Sequence, residues 1–172
     1  MAFIIWMTGF PCSGKSTLAK KLLEYIPKME ILDGDELNNW LTDGWTKESR
    51  IVNTKRIARV TKLLFKHNIP VCVSTISPYD DGRKAVSEII NDNRFIELFV
   101  KCSLEVCAKR DDKGMYKKAR SGELDNFSGV TAPYEIPNNP ELIIDTENNS
   151  IEDCVKDILN YLKSNNLLSP TI

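Results

Sequence analysis

Apolar residues run together from Phe3 to Thr8 and give way at Gly9 to a glycine-bearing loop, the pattern of a short buried strand feeding a turn. Beyond Lys15 the spacing changes. Leu18, Ala19, Leu22, Leu23 and Ile26 recur at helical intervals, and Pro27 closes that helix. Met29 to Leu32 predicts a second strand ending at Asp33-Gly34-Asp35, followed by a helical stretch over Glu36 to Leu41 and a polar loop with Gly44 and Trp45. Lys47 to Lys66 predicts a long helix with Ile57, Val60 and Leu64 on one face, ended by His67, Asn68 and Pro70. Pro70 to Ile76 (PVCVSTI) is β-rich and predicts a central strand, broken by Ser77-Pro78-Tyr79.

Further along, Gly82 to Asn91 predicts a helix, Phe95 to Val100 a buried strand and Leu104 to Arg110 another helix. From Asp111 to Asn139 the pattern is polar, with glycine and proline, and too long for an ordinary connection. Leu142 to Ile144 predicts a last strand. Ser150 caps a final helix with Asp153 three positions on, and Ile151, Cys154, Val155, Ile158 and Leu162 form its buried face. Strands alternating with helices, without repeats, predict an α/β protein: a parallel five-stranded sheet with helices on both faces. In such sheets ligands bind beyond the carboxyl ends of the strands.

Composition narrows this little. The 172 residues, 42% hydrophobic and 27% charged, suit one domain over 1–172 with a single core. The net charge of −1 offers no global attraction for nucleic acid or membrane, so any anion site must be built locally. The opening MAFIIWMTGF carries no basic leader or cleavage site and is too short to cross a bilayer, which predicts a cytoplasmic protein. The five cysteines are odd in number and irregular in spacing, reading as reduced and mostly buried. The single histidine, His67, stands where a helix ends, in a capping or surface position, so a histidine-based metal site is not expected.

Chemistry enters at Gly9-Phe10-Pro11-Cys12-Ser13-Gly14-Lys15-Ser16, which matches G-x4-G-K-[ST] between a predicted strand and a predicted helix. The glycines let successive N–H groups converge on a phosphate, and the positive end of the helix adds to the attraction. Lys15 reaches the β- and γ-phosphates, and the Ser16 hydroxyl suits Mg²⁺. The loop implies the P-loop NTPase fold with ATP and Mg²⁺ as cofactors.

Asp33 and Asp35 close the second predicted strand. If the chain turns at Gly34, both face the cleft, as a kinase needs to orient Mg²⁺ or accept a hydroxyl proton; either could instead cap the following helix. Lys109, Arg110, Lys113, Lys117, Lys118 and Arg120 crowd one stretch, opposed only by Asp111 and Asp112. After a P-loop, such a stretch predicts a basic lid over about 111–139 that screens transferred charge; it could otherwise be a solvated charged helix.

These residues resemble a family. The string FIELFVKCSLEVCAKRDDKGMYKKARSGELDNFSGVTAPYEIPNNPELIIDT, Phe95 to Thr146, looks like the second half of adenylylsulfate kinases. The first half agrees through the P-loop, Asp33-Gly34-Asp35, Arg50 with Asn53, and Ile76-Ser77-Pro78-Tyr79. The resemblance implies transfer of the γ-phosphoryl of ATP to the 3′-hydroxyl of adenosine 5′-phosphosulfate, and suggests a homodimer. It places nucleotide contacts on Gly9, Cys12, Ser13, Gly14, Lys15, Ser16, Thr17 and Arg110. Acceptor contacts fall on Asp35, Asn38, Arg50, Asn53, Ile76, Lys113 and Phe127, with Trp45 and Phe127 stacking on the two faces of the acceptor base. The family's candidate phosphoserine falls on Ser77, although direct in-line transfer needs no covalent step.

The chain departs from the family at Asn38, where the family has an acceptor-binding arginine, and at Trp45, where it usually has phenylalanine. Asparagine cannot replace a bidentate guanidinium. Two other readings stay open: a kinase of the same family acting on another nucleotide, such as cytidine diphosphoramidate in a capsule pathway, and a nucleotide-binding regulator without turnover.

Overall fold

The structure, a computed structural model, describes residues 1–41 and 44–169, with the side chains of residues 38–40 outside that description. Five strands, β1 (Ile4–Thr8), β2 (Glu30–Asp33), β3 (Val71–Ser74), β4 (Phe95–Lys101) and β5 (Leu142–Asp145), form one parallel sheet in the order β2-β3-β1-β4-β5. The helices are α1 (Lys15–Leu22), α2 (Gly34–Leu41), α3 (Lys47–Lys66), α4 (Asp80–Ile90), α5 (Leu104–Lys109), α6 (Met115–Arg120) and α7 (Ile151–Ser164).

β1 is buried along its whole length because it lies in the middle of the sheet with helices above and below. Its side chains alternate between two cores, as a period of two requires. Phe3, Ile5 and Met7 meet Leu18 and Leu22 of α1 and Ile158 and Leu162 of α7. Ile4 and Trp6 meet Ile57, Ala58 and Phe65 of α3 and Val86 of α4. A smaller third cluster joins Cys102, Cys107, Tyr116, Ala119 and Phe127 beneath the lid. No described helix is long and apolar enough to cross a membrane.

Helix ends follow side-chain chemistry. Thr46 caps α3 by accepting the Ser49 amide, and Ser150 caps α7 by accepting the Asp153 amide, as its spacing predicts. His67 is the C-cap of α3.

The structure corrects several expectations. α1 ends at Leu22, not near Ile26; Leu23–Tyr25 turn off, since the residue before Pro27 is biased away from helix, while Ile26 stays buried. β3 lies inside the sheet, but β1 holds its centre. Val60 is 38% exposed, because α3 packs through Thr54, Ile57, Ala58, Thr61 and Phe65. Ile151, at the first turn of α7, is 37% exposed, outside the stripe of Cys154, Val155, Ile158 and Leu162. The stretch expected as a polar loop contains α6, whose Tyr116 and Ala119 are each 2% exposed. Two buried positions in a one-and-a-half-turn helix, among lysines and arginine, leave too weak a periodicity to be seen.

Candidate phosphoryl-transfer site

The loop between β1 and α1 wraps tightly. A Cβ on Gly9 would stand 2.6 Å from the Val100 carbonyl oxygen, so only glycine allows this approach to β4. Gly14 (φ 100°) takes the left-handed conformation that turns the chain into α1, and Cys12 (φ 63°) does so inside the loop. The far side is tied down by Thr146, whose hydroxyl donates to the Ser13 carbonyl at 2.7 Å.

Lys15 is 7% exposed, and its ammonium donates to the carbonyls of Gly9 at 2.9 Å and Phe10 at 2.7 Å, with Ser13 Oγ at 3.3 Å. Burial is the main cause that lowers its pKa from 10.5 to about 8. The lysine therefore sits where its charge is poorly solvated and an incoming phosphate would be strongly favoured.

Opposite the loop, the carboxyl end of β2 presents Asp33. Its Oδ2 accepts the Ser16 hydroxyl at 2.6 Å and its Oδ1 accepts the Asp35 amide at 2.9 Å. Ser74, at the end of β3, lies 3.1 Å from Ser16 Oγ. A hydroxyl and a carboxylate at this spacing beside a phosphate loop fit Mg²⁺, which takes few protein oxygens and completes its shell with phosphate and water. No group of three or more His, Cys, Asp or Glu that could hold a metal occurs among the described residues. Asp35 reaches toward the lid, where Lys113 Nζ lies 3.2 Å from its Oδ2; both are well exposed.

Across the site, Arg50 of α3 draws two segments together. Its Nε donates to the Trp45 carbonyl at 3.0 Å and its Nη2 to the Asn126 carbonyl at 2.6 Å, while the guanidinium stands 5.2 Å from the Trp45 ring centre. Trp45 is 47% exposed, whereas Phe127 is 6% exposed and meets Tyr116 edge-on at 4.9 Å between ring centroids. Asn53 is buried on the inner face of α3. The side chain of Asn38 lies outside the described residues, although its backbone belongs to α2.

Ile76 and Ser77 follow β3. The Ile76 carbonyl accepts the Thr8 hydroxyl at 2.6 Å and the Gly9 amide at 3.5 Å, so this segment is bonded to the start of the phosphate loop. Ser77, in the left-handed region at φ 42°, is buried; its hydroxyl accepts the Trp6 indole N–H at 3.1 Å and lies 2.7 Å from Thr75 Oγ1.

A cleft of about 470 Å³ opens beside the loop, lined by Gly14 to Leu18 and Cys12, Arg110, Thr146 and Asn149 to Ile151. Arg110 is fixed at its rim by donation to the Thr146 carbonyl at 2.7 Å. Of the basic lid residues, Lys113 and Arg110 turn to Asp35 and Thr146, while Lys109, Lys117, Lys118 and Arg120 are exposed. Cys12 is the exposed cysteine; Cys72, Cys102, Cys107 and Cys154 are buried and none is in a disulfide.

The structure thus brings Lys15, Ser16, Asp33 and Asp35 to one edge of the sheet, with Lys113, Arg50, Trp45 and Phe127 beyond them. Sequence reasoning missed Ser74, Tyr116 and Thr146. Thr146 directly follows the last strand, the one signal that could have found it; the other two depend on contacts distant in the chain.

The family model described as adenylylsulphate kinase matches residues 1–145. The adenylyl-sulfate kinase of Staphylococcus epidermidis is 45% identical over 166 residues, covering 93% of this chain and 83% of the relative. The probable adenylyl-sulfate kinase of Aeropyrum pernix is 42% identical, covering 94% of this chain and 92% of its own. Among solved structures, the APS kinase of Mycobacterium tuberculosis in complex with AMPPNP and APS superposes with a TM-score of 0.87 at 34% identity, over 94% of this chain and 98% of that one. With the phosphate loop, the paired aspartates and the lid arranged as described, this chain belongs to the adenylylsulphate kinase family.

Proposed function

We propose that the protein transfers the γ-phosphoryl group of ATP to the 3′-hydroxyl of adenosine 5′-phosphosulfate, giving 3′-phosphoadenosine 5′-phosphosulfate. What carries this reading is that Lys15 and Ser16 face the Asp33–Asp35 strand end in a chain 45% identical to an adenylyl-sulfate kinase.

The roles follow from position. The backbone N–H groups from Cys12 to Thr17 bind the phosphates of ATP, and the cleft between Arg110 and Asn149–Ile151 takes its nucleoside. Lys15 exchanges its loop carbonyls for β- and γ-phosphate oxygens, adding charge where it develops in the transition state. Ser16 and Asp33 would hold Mg²⁺, which supplies neutralisation of the phosphate oxygens. Asp35 is the carboxylate on the acceptor side and takes the hydroxyl proton, with Lys113 orienting it. Trp45, Arg50, Asn53, Ile76 and Phe127 form the acceptor slot, to which the family resemblance adds position 38 by sequence alone. Ser77, its hydroxyl held between Trp6 and Thr75, acts by shaping the Ile76 segment rather than by carrying phosphate.

The test is direct. Purified protein with Mg-ATP is given adenosine 5′-phosphosulfate and the 3′-phosphorylated product is measured; an unchanged acceptor overturns the reading. One observation favours a second acceptor within the same chemistry: Asn38 stands where the family resemblance places an anion-binding arginine. Cytidine diphosphoramidate is therefore run alongside, and transfer to it alone would reassign the substrate. Light scattering of the same sample reads the homodimer that the family resemblance suggests.

A further inference from the structure

One side chain of the lid touches both halves of the site. Tyr116, on α6, is 2% exposed. Its hydroxyl donates to the Pro11 carbonyl of the phosphate loop at 2.8 Å. Its ring meets Phe127 edge-on, with centroids 4.9 Å apart and planes at 83°. The backbone continues the connection, because the carbonyl of Asn126, next to Phe127, accepts from Arg50, which also holds the Trp45 carbonyl. Donor loop, lid and both aromatic walls of the acceptor slot thus form one contiguous set of contacts.

The donor end of this set must change its hydrogen bonds when phosphate enters. Lys15 here bonds the carbonyls of Gly9 and Phe10. To reach phosphate oxygens it must release them; the Phe10 carbonyl keeps the Ser13 amide at 3.2 Å, and the Gly9 carbonyl then needs a new partner. Pro11 lies within that short stretch, between Phe10 and Cys12, and its carbonyl is the one Tyr116 grips. The lid end is held too: the Tyr116 amide donates to Asp111 at 2.7 Å and the Phe127 amide to Thr131 at 2.8 Å, so a shift at Pro11 is passed on rather than absorbed.

We infer that Tyr116 is a positioning residue that couples occupation of the phosphate loop to the geometry of the acceptor slot, so that nucleotide binding raises affinity for the acceptor through the Tyr116–Pro11 hydrogen bond. The inference rests on the proposed acceptor slot. A lysine that must exchange partners at one end and a packed aromatic pair at the other are the ends this coupling joins.

Tyr116→Phe keeps the ring against Phe127 and removes only the hydroxyl. Two measurements test it. In the first, calorimetry gives the affinity for adenosine 5′-phosphosulfate with and without Mg-ADP. The wild-type protein is expected to gain affinity on adding Mg-ADP, and the variant to lose roughly three- to tenfold of that gain, the scale of one neutral hydrogen bond, while binding Mg-ADP alone normally. An equal gain in both proteins, or no gain in the wild type, overturns the inference.

The second measurement needs no acceptor. Hydrogen exchange over residues 115–132 is followed as AMPPNP binds. Protection spreading through these residues in the wild type, but confined to the phosphate loop in the variant, supports the coupling. Equal protection in both, or none in either, overturns it. Failure of the acceptor assignment would silence the first measurement in both proteins and leave the second intact.

Discussion

The Ser16 hydroxyl donates to Asp33 Oδ2 at 2.6 Å, joining the first turn of α1 to the last residue of β2. The two are 17 positions apart in the chain, and they meet because both lie at the carboxyl edge of one parallel sheet. That contact separates the surroundings of the two aspartates, since Asp33 meets Ser16 while Asp35 meets Lys113.

Asp33→Asn and Asp35→Asn should therefore fail differently. Asp33→Asn is expected to lower kcat by at least about 100-fold and to raise the Mg²⁺ concentration needed, with nucleotide still bound. Asp35→Asn is expected to lower kcat by about 100-fold at unchanged Mg²⁺ dependence, the usual scale for a lost general base. Magnesium titrations of initial rate distinguish them, and identical Mg²⁺ curves would contradict the assignment.

Lys15→Ala removes the ammonium that lies inside the phosphate loop. Turnover should fall by roughly 100- to 1,000-fold, as for other donors aimed at developing charge. Near-normal rates in a steady-state assay would break the assignment of the loop.

Lys15 also sets a pH dependence. Its pKa in the folded protein, about 8, lies below the ordinary 10.5 because burial disfavours the charged form. Between these values the unfolded chain holds more protons, so this group lets stability rise with pH from about 8 toward 10.5. Nucleotide binding runs the other way, because phosphate favours the ammonium. Affinity for ATP should fall as pH rises above about 8, with proton uptake on binding that makes the calorimetric heat depend on the buffer.

Gly129→Ala tests the lid seat. A Cβ there would stand 2.7 Å from Leu104 Cδ2 and 2.7 Å from Phe10 Cε1, at φ 90°. Overpacking and backbone strain should together cost about 2 kcal/mol, read as a lower midpoint in urea unfolding.

Arg83→Met tests the support beneath Ser77. Arg83 is 4% exposed, pairs with Glu97 at 2.8 Å and donates to the Ser77 carbonyl at 2.9 Å. Burial already raises the Glu97 pKa, and loss of the guanidinium, which holds it down, should raise it further. The variant should lose about 1–2 kcal/mol of stability at neutral pH, since a half-buried carboxylate is left without its partner. A carboxyl whose folded pKa is raised destabilises above that pKa and is relieved as pH falls toward the ordinary 4.5, so the deficit should shrink on acidification to that value. Denaturant unfolding at the two pH values checks both size and sign.

The sequence by itself determined what is local. The phosphate loop is contiguous, and its glycines, lysine and serine do the same work in any chain that places them between a strand and a helix. The order of strands and helices and the cap of α7 at Ser150 are likewise set by neighbours in the chain. Asp33 and Asp35 were legible as a pair, but not which faces the donor. Only the tertiary structure showed their different surroundings, by laying Ser16 against one and Lys113 against the other. Tyr116 and Thr146 escaped the sequence for the same reason. Each works through a backbone carbonyl more than 100 positions away, and no periodicity records a contact made across the sheet and the lid.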